Sequence, residues 1–293
     1  MNGWLVLDKP TGVTSAKALA QVKKILRAAK AGHSGTLDPL ASGVLPLAIG
    51  NATKTIPWII HSEKIYEFTI TWGTQTDSDD SLGTPQHHSE KRPNENDIRK
   101  LLPEFTGDIM QTPPAFSALK QNGVRNYERA RKGEIVTTAP RPVTIHECAR
   151  LAAPDENKAD FRVRCGGGTY VRALARDLGQ RLGCLGHVSR LRRLRAGPFA
   201  DPLTLAQIQS LPAEKILLPV GAALAHLPSV QVSEEDARRL ARGQSIPALS
   251  ENGANSSHSD TQTPADTAAF CDSRLVAVVV RHNDIFKPRR VFV

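Results

Sequence analysis

Tyr66, Phe68, Ile70 and Trp72 alternate with Glu67, Thr69 and Thr71 along KIYEFTITWG, a period of two that fits an extended strand with one buried face. ADFRVRC repeats the device, setting Phe161, Val163 and Cys165 against Arg162 and Arg164. A chain with such segments builds a sheet that needs a cover, and the helical patterns around them supply it. Leu19, Val22, Ile25, Leu26 and Ala29 predict a helix over 15–30 with Ser15 as its N-cap. Val171, Leu174, Ala175, Leu178 and Leu182 predict another after the glycine turn of GGGTYVRALARDLGQRLG, with Arg172 and Arg176 one turn apart on a different face. WLVLDKP, VLPLAIG and PVTIHECARL are further strands, a polar loop is expected over 75–96, and Ile98 to Phe105 predicts a helix. Strands and helices intermix without regular alternation, so the expected class is α+β, with a mixed, mostly antiparallel sheet.

A second unit is expected from about Pro228. VSEEDARRLARG has a helix start at Ser233 and a glycine stop at Gly243, and RLVAVVVRHNDIFKPRRVFV predicts a closing hairpin. Between them, residues 250–268 are rich in Ser, Asn, Asp and Thr and predict a polar surface insertion. At 293 residues and 40% apolar side chains, the chain has room for a large domain, 1–227, and a small β-rich one, 228–293. Cys148, Cys165, Cys184 and Cys271 are too far apart for a zinc knuckle or redox pair, and are expected as reduced thiols. No leader pattern opens the chain and no apolar run approaches the roughly 20 residues of a bilayer span, so a cytoplasmic protein without a membrane segment is expected.

The net charge of +9 is concentrated. Residues 160–200 hold nine arginines against Asp160 and Asp177, and residues 120–142 hold six basic side chains against Glu128 and Glu134. The remainder is slightly acidic, a distribution that favours a polyanion partner, most simply nucleic acid.

Several chemistries lack the spacing they require. There is no Walker loop and no G-x-G-x-x-G, and CGGGTY is only a glycine turn before a helix. His87 and His88 are adjacent but have no acid or cysteine cluster to complete a metal site. The remaining candidate is Asp38, a lone carboxylate within GHSGTLDPLASGVLPLAIG, in the loop expected before a buried strand. Asp before Pro is a common turn former, and loops on rigid scaffolds also carry function.

Five stretches decide between those uses: LDKPTGVTS, GHSGTLDPLASGVLP, KIYEFTITWGTQTDSDD, PPAFSALKQNGVRNYERARKGE and GGGTYVRALARDLGQRLGCLGHVSRLRR. In this order they resemble the bacterial TruB family of pseudouridine synthases over most of residues 1–200. The C-terminal unit resembles that family's small RNA-binding domain of the PUA type. The resemblance implies a pseudouridine-synthase sheet domain and isomerisation of uridine 55 in the T arm of tRNA, with base flipping. That reaction breaks the N1–C1′ bond, turns the uracil and rejoins it through C5, adding no atom, so neither cofactor nor metal is implied.

The same resemblance implies the site. Asp38 matches the family's essential aspartate; a free aspartate, with a pKa of about 3.9, is ionised at neutral pH and serves as nucleophile or proton acceptor. Attack at C1′ and removal of the C2′ proton are both open to it. Arg172 matches an active-site arginine, Tyr66 a tyrosine that stacks on the flipped base, Tyr170 a second base-contacting tyrosine and Leu191 an apolar wall. His33 matches a histidine that helps open the RNA. An element over about 106–142 matches an insertion that grips the arm, and Arg190 to Arg195 are expected on backbone phosphates. No protein partner is implied, and a monomer is expected. A non-catalytic tRNA-remodelling protein and the catalytic subunit of a guide-RNA particle are the competing functions.

Overall fold

The structure is a computed structural model that describes residues 1–117, 119–121, 123–248 and 265–292. In chain order the strands of the large unit are β1 (Gly3–Lys9), β2 (Ala31–His33), β3 (Ser42–Ile49), β4 (Lys64–Trp72), β5 (Thr74–Thr76) and β6 (Pro85–His88). They continue with β7 (Gly107–Gln111), β8 (Lys120–Gln121), β9 (Val124–Arg125), β10 (Arg141–Asp155), β11 (Lys158–Cys165) and β12 (Gly186–Ala196). The main sheet runs β1-β3-β12-β4-β11-β10-β7, with β2 extending β3. Every pairing in it is antiparallel except β12 with β3, which gives the expected mixed, mostly antiparallel α+β architecture.

The period of two in β4 places Tyr66, Phe68, Ile70 and Trp72 in one core with Phe161 and Val163 of β11. Helix α1 (Ser15–Ile25) covers that face through Ala18 and Val22, and the Val171–Arg181 helix covers it through Val171, Leu174 and Leu178. Helix α1 differs from its prediction at both ends. Thr14 is the N-cap, accepting from the amide of Lys17 at 3.2 Å, because the Ser15 hydroxyl is spent elsewhere. The helix stops at Ile25, and Arg27 turns the chain with φ 49°, so that 31–33 can pair with β3.

Two further expectations change. The 75–96 segment holds the β5–β6 hairpin, whose polar residues conceal strand periodicity because neither face is fully covered. Residues 186–196, given no strand from sequence, form β12 at the centre of the sheet. Arginine masks its period there: Arg193, 1% exposed, occupies an inward slot between Val44 and Tyr66.

A second, five-stranded sheet is built from β13 (Ser229–Gln231), β14 (Ile246–Pro247), β15 (Asp266–Cys271), β16 (Arg274–His282) and β17 (Ile285–Val291), in the order β13-β15-β16-β17-β14. The Glu234–Ala241 helix, capped by Ser233 and stopped at Gly243 (φ 77°), packs Ala237 and Leu240 against it. This is the expected β-rich unit, and its last two strands form the expected hairpin. Most of the polar insertion lies outside the described residues. Its last three residues, Asp266 to Ala268, already belong to β15, where the Asp266 carboxylate accepts from Trp58 Nε1 at 2.8 Å and from Arg289. Leu224, Ala268, Leu275 and Val278 form a small core against Trp58, joining the two units. The four cysteines are free thiols.

Candidate active site

Asp38 sits in the loop between β2 and β3, and that loop is held from two sides. The buried Ser15 hydroxyl accepts from the Leu37 amide at 2.8 Å and donates to the Leu37 carbonyl at 2.9 Å, so the residue before Asp38 has both backbone groups satisfied by one side chain. From below, the Arg193 guanidinium donates to Gly35 O at 2.9 Å and Val44 O at 2.7 Å. A Cβ on Gly43 (φ 99°) would lie 2.2 Å from Arg193 O, so the close seam between β3 and β12 admits only glycine there. The small residues of this stretch therefore accommodate the protein's own arginine strand.

Arg172, in the first turn of the Val171–Arg181 helix, reaches the loop with a side chain only 4% exposed. Its Nε donates to Asp38 Oδ2 at 2.9 Å, Nη1 to Ser78 O at 2.7 Å and Nη2 to Phe116 O at 2.8 Å. Asp80 Oδ2 lies 3.7 Å away, and its other oxygen accepts from Ser78 Oγ at 2.7 Å and from the Leu82 amide at 3.0 Å. One guanidinium thus joins three segments distant in sequence. Asp38 itself keeps 36% of its side chain exposed, which leaves a fixed, solvent-reachable carboxylate.

A turn further on, Arg176 repeats the arrangement with Asp79 at 3.0 Å and Thr112 O at 2.8 Å. Burial raises the Asp79 carboxyl to about 6, and Arg176 and Arg172 oppose the shift. The helix start is fixed by Gln111 of β7, whose amide bonds both backbone groups of Tyr170, at 2.8 and 3.1 Å.

Tyr66, 9% exposed, lies in the core beside Leu37, Ala41 and Leu191, directly opposite Arg193 in register. Burial pushes its phenol up, and the neighbouring guanidinium of Arg193 partly offsets this. Tyr170 is half-buried at the helix start within the electrostatic reach of Asp38 and Arg172, and burial raises its phenol too. Leu191 is buried, and its carbonyl accepts from Ser42 Oγ at 3.5 Å. His33 ends β2 opposite Leu47, where the Asp38 loop departs. Asp38, Tyr66, Tyr170, Arg172 and Leu191 thus converge on one face of the sheet, with His33 at its margin.

Three cations are buried near them: Lys9 and Lys64, which sequence reasoning missed, and Arg193, which it expected on phosphate. Lys9 is fully buried, donating to Pro10 O at 2.8 Å and Val13 O at 2.7 Å; burial lowers its ammonium to about 8, with Asp38 opposing and Arg193 reinforcing the shift. Lys64, bonded to Ile60 O, is lowered to about 8 by burial and by Arg193. Lys9, Lys64 and Arg193 thus form a buried row of cations, of which Lys9 interacts with Asp38. The signal was available: Lys9 and Ser15 lie within LDKPTGVTS.

The expected phosphate-contacting role fails for Arg193, which is buried and spent on Val44 O and Gly35 O, and most of the other arginines of 160–200 meet acids. Arg162 is paired with Glu67, Arg164 with Glu63, Arg181 with Glu104, Arg190 with Asp160 and Arg192 with Asp8. The compensating acids come mainly from other strands, which a window along the chain cannot see.

This sheet, with one carboxylate held by a buried arginine over its covered face, is the pseudouridine-synthase fold. Solved structures agree: a chain of an H/ACA ribonucleoprotein bound to a substrate RNA containing 2′-deoxyuridine is 25% identical with a TM-score of 0.74, and one from a Cbf5–Nop10–Gar1 complex is 26% identical with a TM-score of 0.76. Both comparisons cover 99% of this chain and 85% of the other. In sequence, the model of the N-terminal domain of TruB family pseudouridylate synthases matches residues 23–171, and that of the tRNA pseudouridylate synthase B C-terminal domain matches 172–225. Their junction falls inside the large sheet, since β12 pairs with both β3 and β4. Proteins named tRNA pseudouridine synthase B from Agrobacterium fabrum and Rhodopseudomonas palustris are each 44% identical over all of this chain, covering 95% and 81% of their own lengths. The chain belongs to the TruB family of pseudouridylate synthases.

Proposed function

We propose that this protein is a tRNA pseudouridine synthase that isomerises uridine 55 in the T arm, with Asp38 as its nucleophile. The observation that carries the reading is the Asp38–Arg172 pair: an exposed carboxylate oriented by a buried cation, above Lys9 and Arg193. The uridine leaves the stack at a cost of a few kcal/mol, and stacking on Tyr66 or Tyr170 returns roughly 1–3 kcal/mol. Because Tyr66 is nearly closed off, the base enters by displacing its cover, while Tyr170 already stands half-open. Leu191 lines the apolar side of the pocket and His33 its margin. Asp38 acts on the ribose as the N1–C1′ bond breaks; the uracil turns, C5 joins C1′, and the C5 proton is released as N1 gains one. Atoms balance without an added reactant.

Residues 1–227 form the catalytic domain in this reading, with an RNA-gripping element over about 106–142, and 228–293 a PUA-like RNA-binding domain. The protein works in the cytoplasm as a monomer, directly on tRNA. Among the described residues no helix is long and apolar enough to cross a membrane. The guide-RNA alternative is less favoured, since identity is 44% to the proteins named tRNA pseudouridine synthase B and 25–26% to the ribonucleoprotein chains.

Tritium release from 5-tritiated uridine in a T-arm stem-loop, using the purified protein alone, tests this. Release at the position equivalent to 55, abolished in Asp38→Asn, is expected. Undiminished release in that variant removes Asp38 from the chemistry, and tRNA binding without release in wild type favours the remodelling alternative.

A further inference from the structure

Between Asp8 and Asp38 the chain carries Lys9, Lys17, Lys23, Lys24, Arg27 and Lys30 and no acidic residue. Lys9 is buried in the site, whereas the other five are exposed along α1 and the turn after it. Among the described residues none of the five side chains takes part in an ion pair or hydrogen bond. This is the reverse of the arginine-rich stretch 160–200, where most side chains are paired. Helix α1 and the turn after it therefore carry exposed positive charge that meets no acid among the described residues.

Helix stability does not account for it. Lys23 and Lys24 stand in the last turn, where the helix dipole favours cations, but Lys17 stands in the first turn, where it disfavours them. Lys17 and Lys24 are seven residues apart and so lie one above the other, with the small or neutral Ala20 and Gln21 exposed between them. The opposite face is spent on the core: Ala18 and Val22 pack in the cluster that holds Leu37, Tyr66 and Leu174. Helix α1 therefore lies on the side of the sheet that bears Asp38, and Ser15 ties its first turn to the catalytic loop. With its apolar residues turned inward, the helix offers cations without the exposed apolar face that membrane adsorption needs.

We infer that Lys17, Lys24, Arg27 and Lys30 form a docking surface for the phosphate backbone of the RNA stem that carries the modified uridine. The inference rests on the protein's being an RNA pseudouridine synthase. The surface supplies affinity and register without reading sequence. A helix of 11 residues is about 16 Å long, so contact with several successive phosphates is within its span.

The test is the salt dependence of binding of a fluorescent T-arm stem-loop, measured by anisotropy in an Asp38→Asn background that suppresses turnover. Lys17→Gln/Lys24→Gln/Arg27→Gln is compared with the charge-keeping Lys17→Arg/Lys24→Arg/Arg27→Lys, and with Arg99→Gln/Lys100→Gln/Lys215→Gln, which removes the same charge elsewhere. Thermal melting checks that all variants fold. The expected result is a fall of about 2 to 3 in the magnitude of the slope of log K against log salt for the first variant alone, from a loss of roughly 0.7–0.9 per phosphate contact. An unchanged slope in that variant overturns the proposal, as does an equal fall in the control triple, which would mean that net charge alone matters. Wild-type tritium release on the same RNA is run in parallel, so failure of the functional reading is seen separately from failure of the docking surface.

Discussion

Arg172 donates to Asp38 from a position 4% exposed to solvent, and the same guanidinium holds the carbonyls of Ser78 and Phe116. The pair sets the carboxylate's direction and, through it, ties together the β2–β3 loop, the turn after β5 and the segment after β7.

Arg172→Lys keeps the charge but replaces a three-pronged planar donor with a point charge on a flexible stem. A folded protein with kcat reduced roughly 100-fold is expected, since about 1 Å of misplacement costs that much. Single-turnover tritium release at saturating RNA measures it. A near-wild-type kcat would show that charge alone suffices.

Ser15→Ala removes both hydrogen bonds to Leu37 in a buried setting. A stability loss of about 1–3 kcal/mol is expected, accompanied by a fall in kcat larger than any change in KM. Urea denaturation and steady-state kinetics on one preparation read the two effects.

Gly43→Ala forces a Cβ to within 2.2 Å of Arg193 O at a backbone φ of 99°. Relief requires β3 and β12 to separate at their only parallel contact, and a cost of roughly 2–4 kcal/mol is expected. A lowered thermal midpoint, with Gly107→Ala as a control in open space, checks it.

Lys9 carries a pH signature. Its pKa is about 8 in the folded protein against an ordinary 10.5, so between those values the folded state binds fewer protons than the unfolded state and stability rises with pH. Below about pH 8 both states are protonated and the full cost of burying the ammonium is present. The stability of wild type relative to Lys9→Met should therefore rise between pH 8 and 10 by up to about 1.4 kcal/mol per unit. Taking the difference between the two proteins cancels the thiols, whose raised pKa values act in the opposite direction. A difference flat with pH would show that Lys9 keeps an ordinary pKa.

What could be read along the chain was whatever has a local period or a contiguous motif. The strand at Tyr66–Trp72, the helix after Tyr170, the Asp38 loop and the family resemblance all have their signal within a few residues of themselves. Arg172 was identifiable for the same reason, though its partners Ser78 and Phe116 were not. Strand β12 escaped because Arg193 occupies an apolar slot, and the β5–β6 hairpin escaped because its strands carry almost no apolar side chains and so have no hydrophobic period.

The sequence alone determined the segments whose period is apolar, β4, β11 and the helix after Tyr170 among them, and that one carboxylate stands before β3. Tertiary structure alone decided what each charge does. Asp8 meets Arg192 and Glu67 meets Arg162 across strand registers that no charge window along the chain contains. Coulomb energy depends on separation in space, so an arginine run that looks like a polyanion surface is largely neutralised within the sheet. The lysines of α1, which look unremarkable in sequence, meet no acid among the described residues.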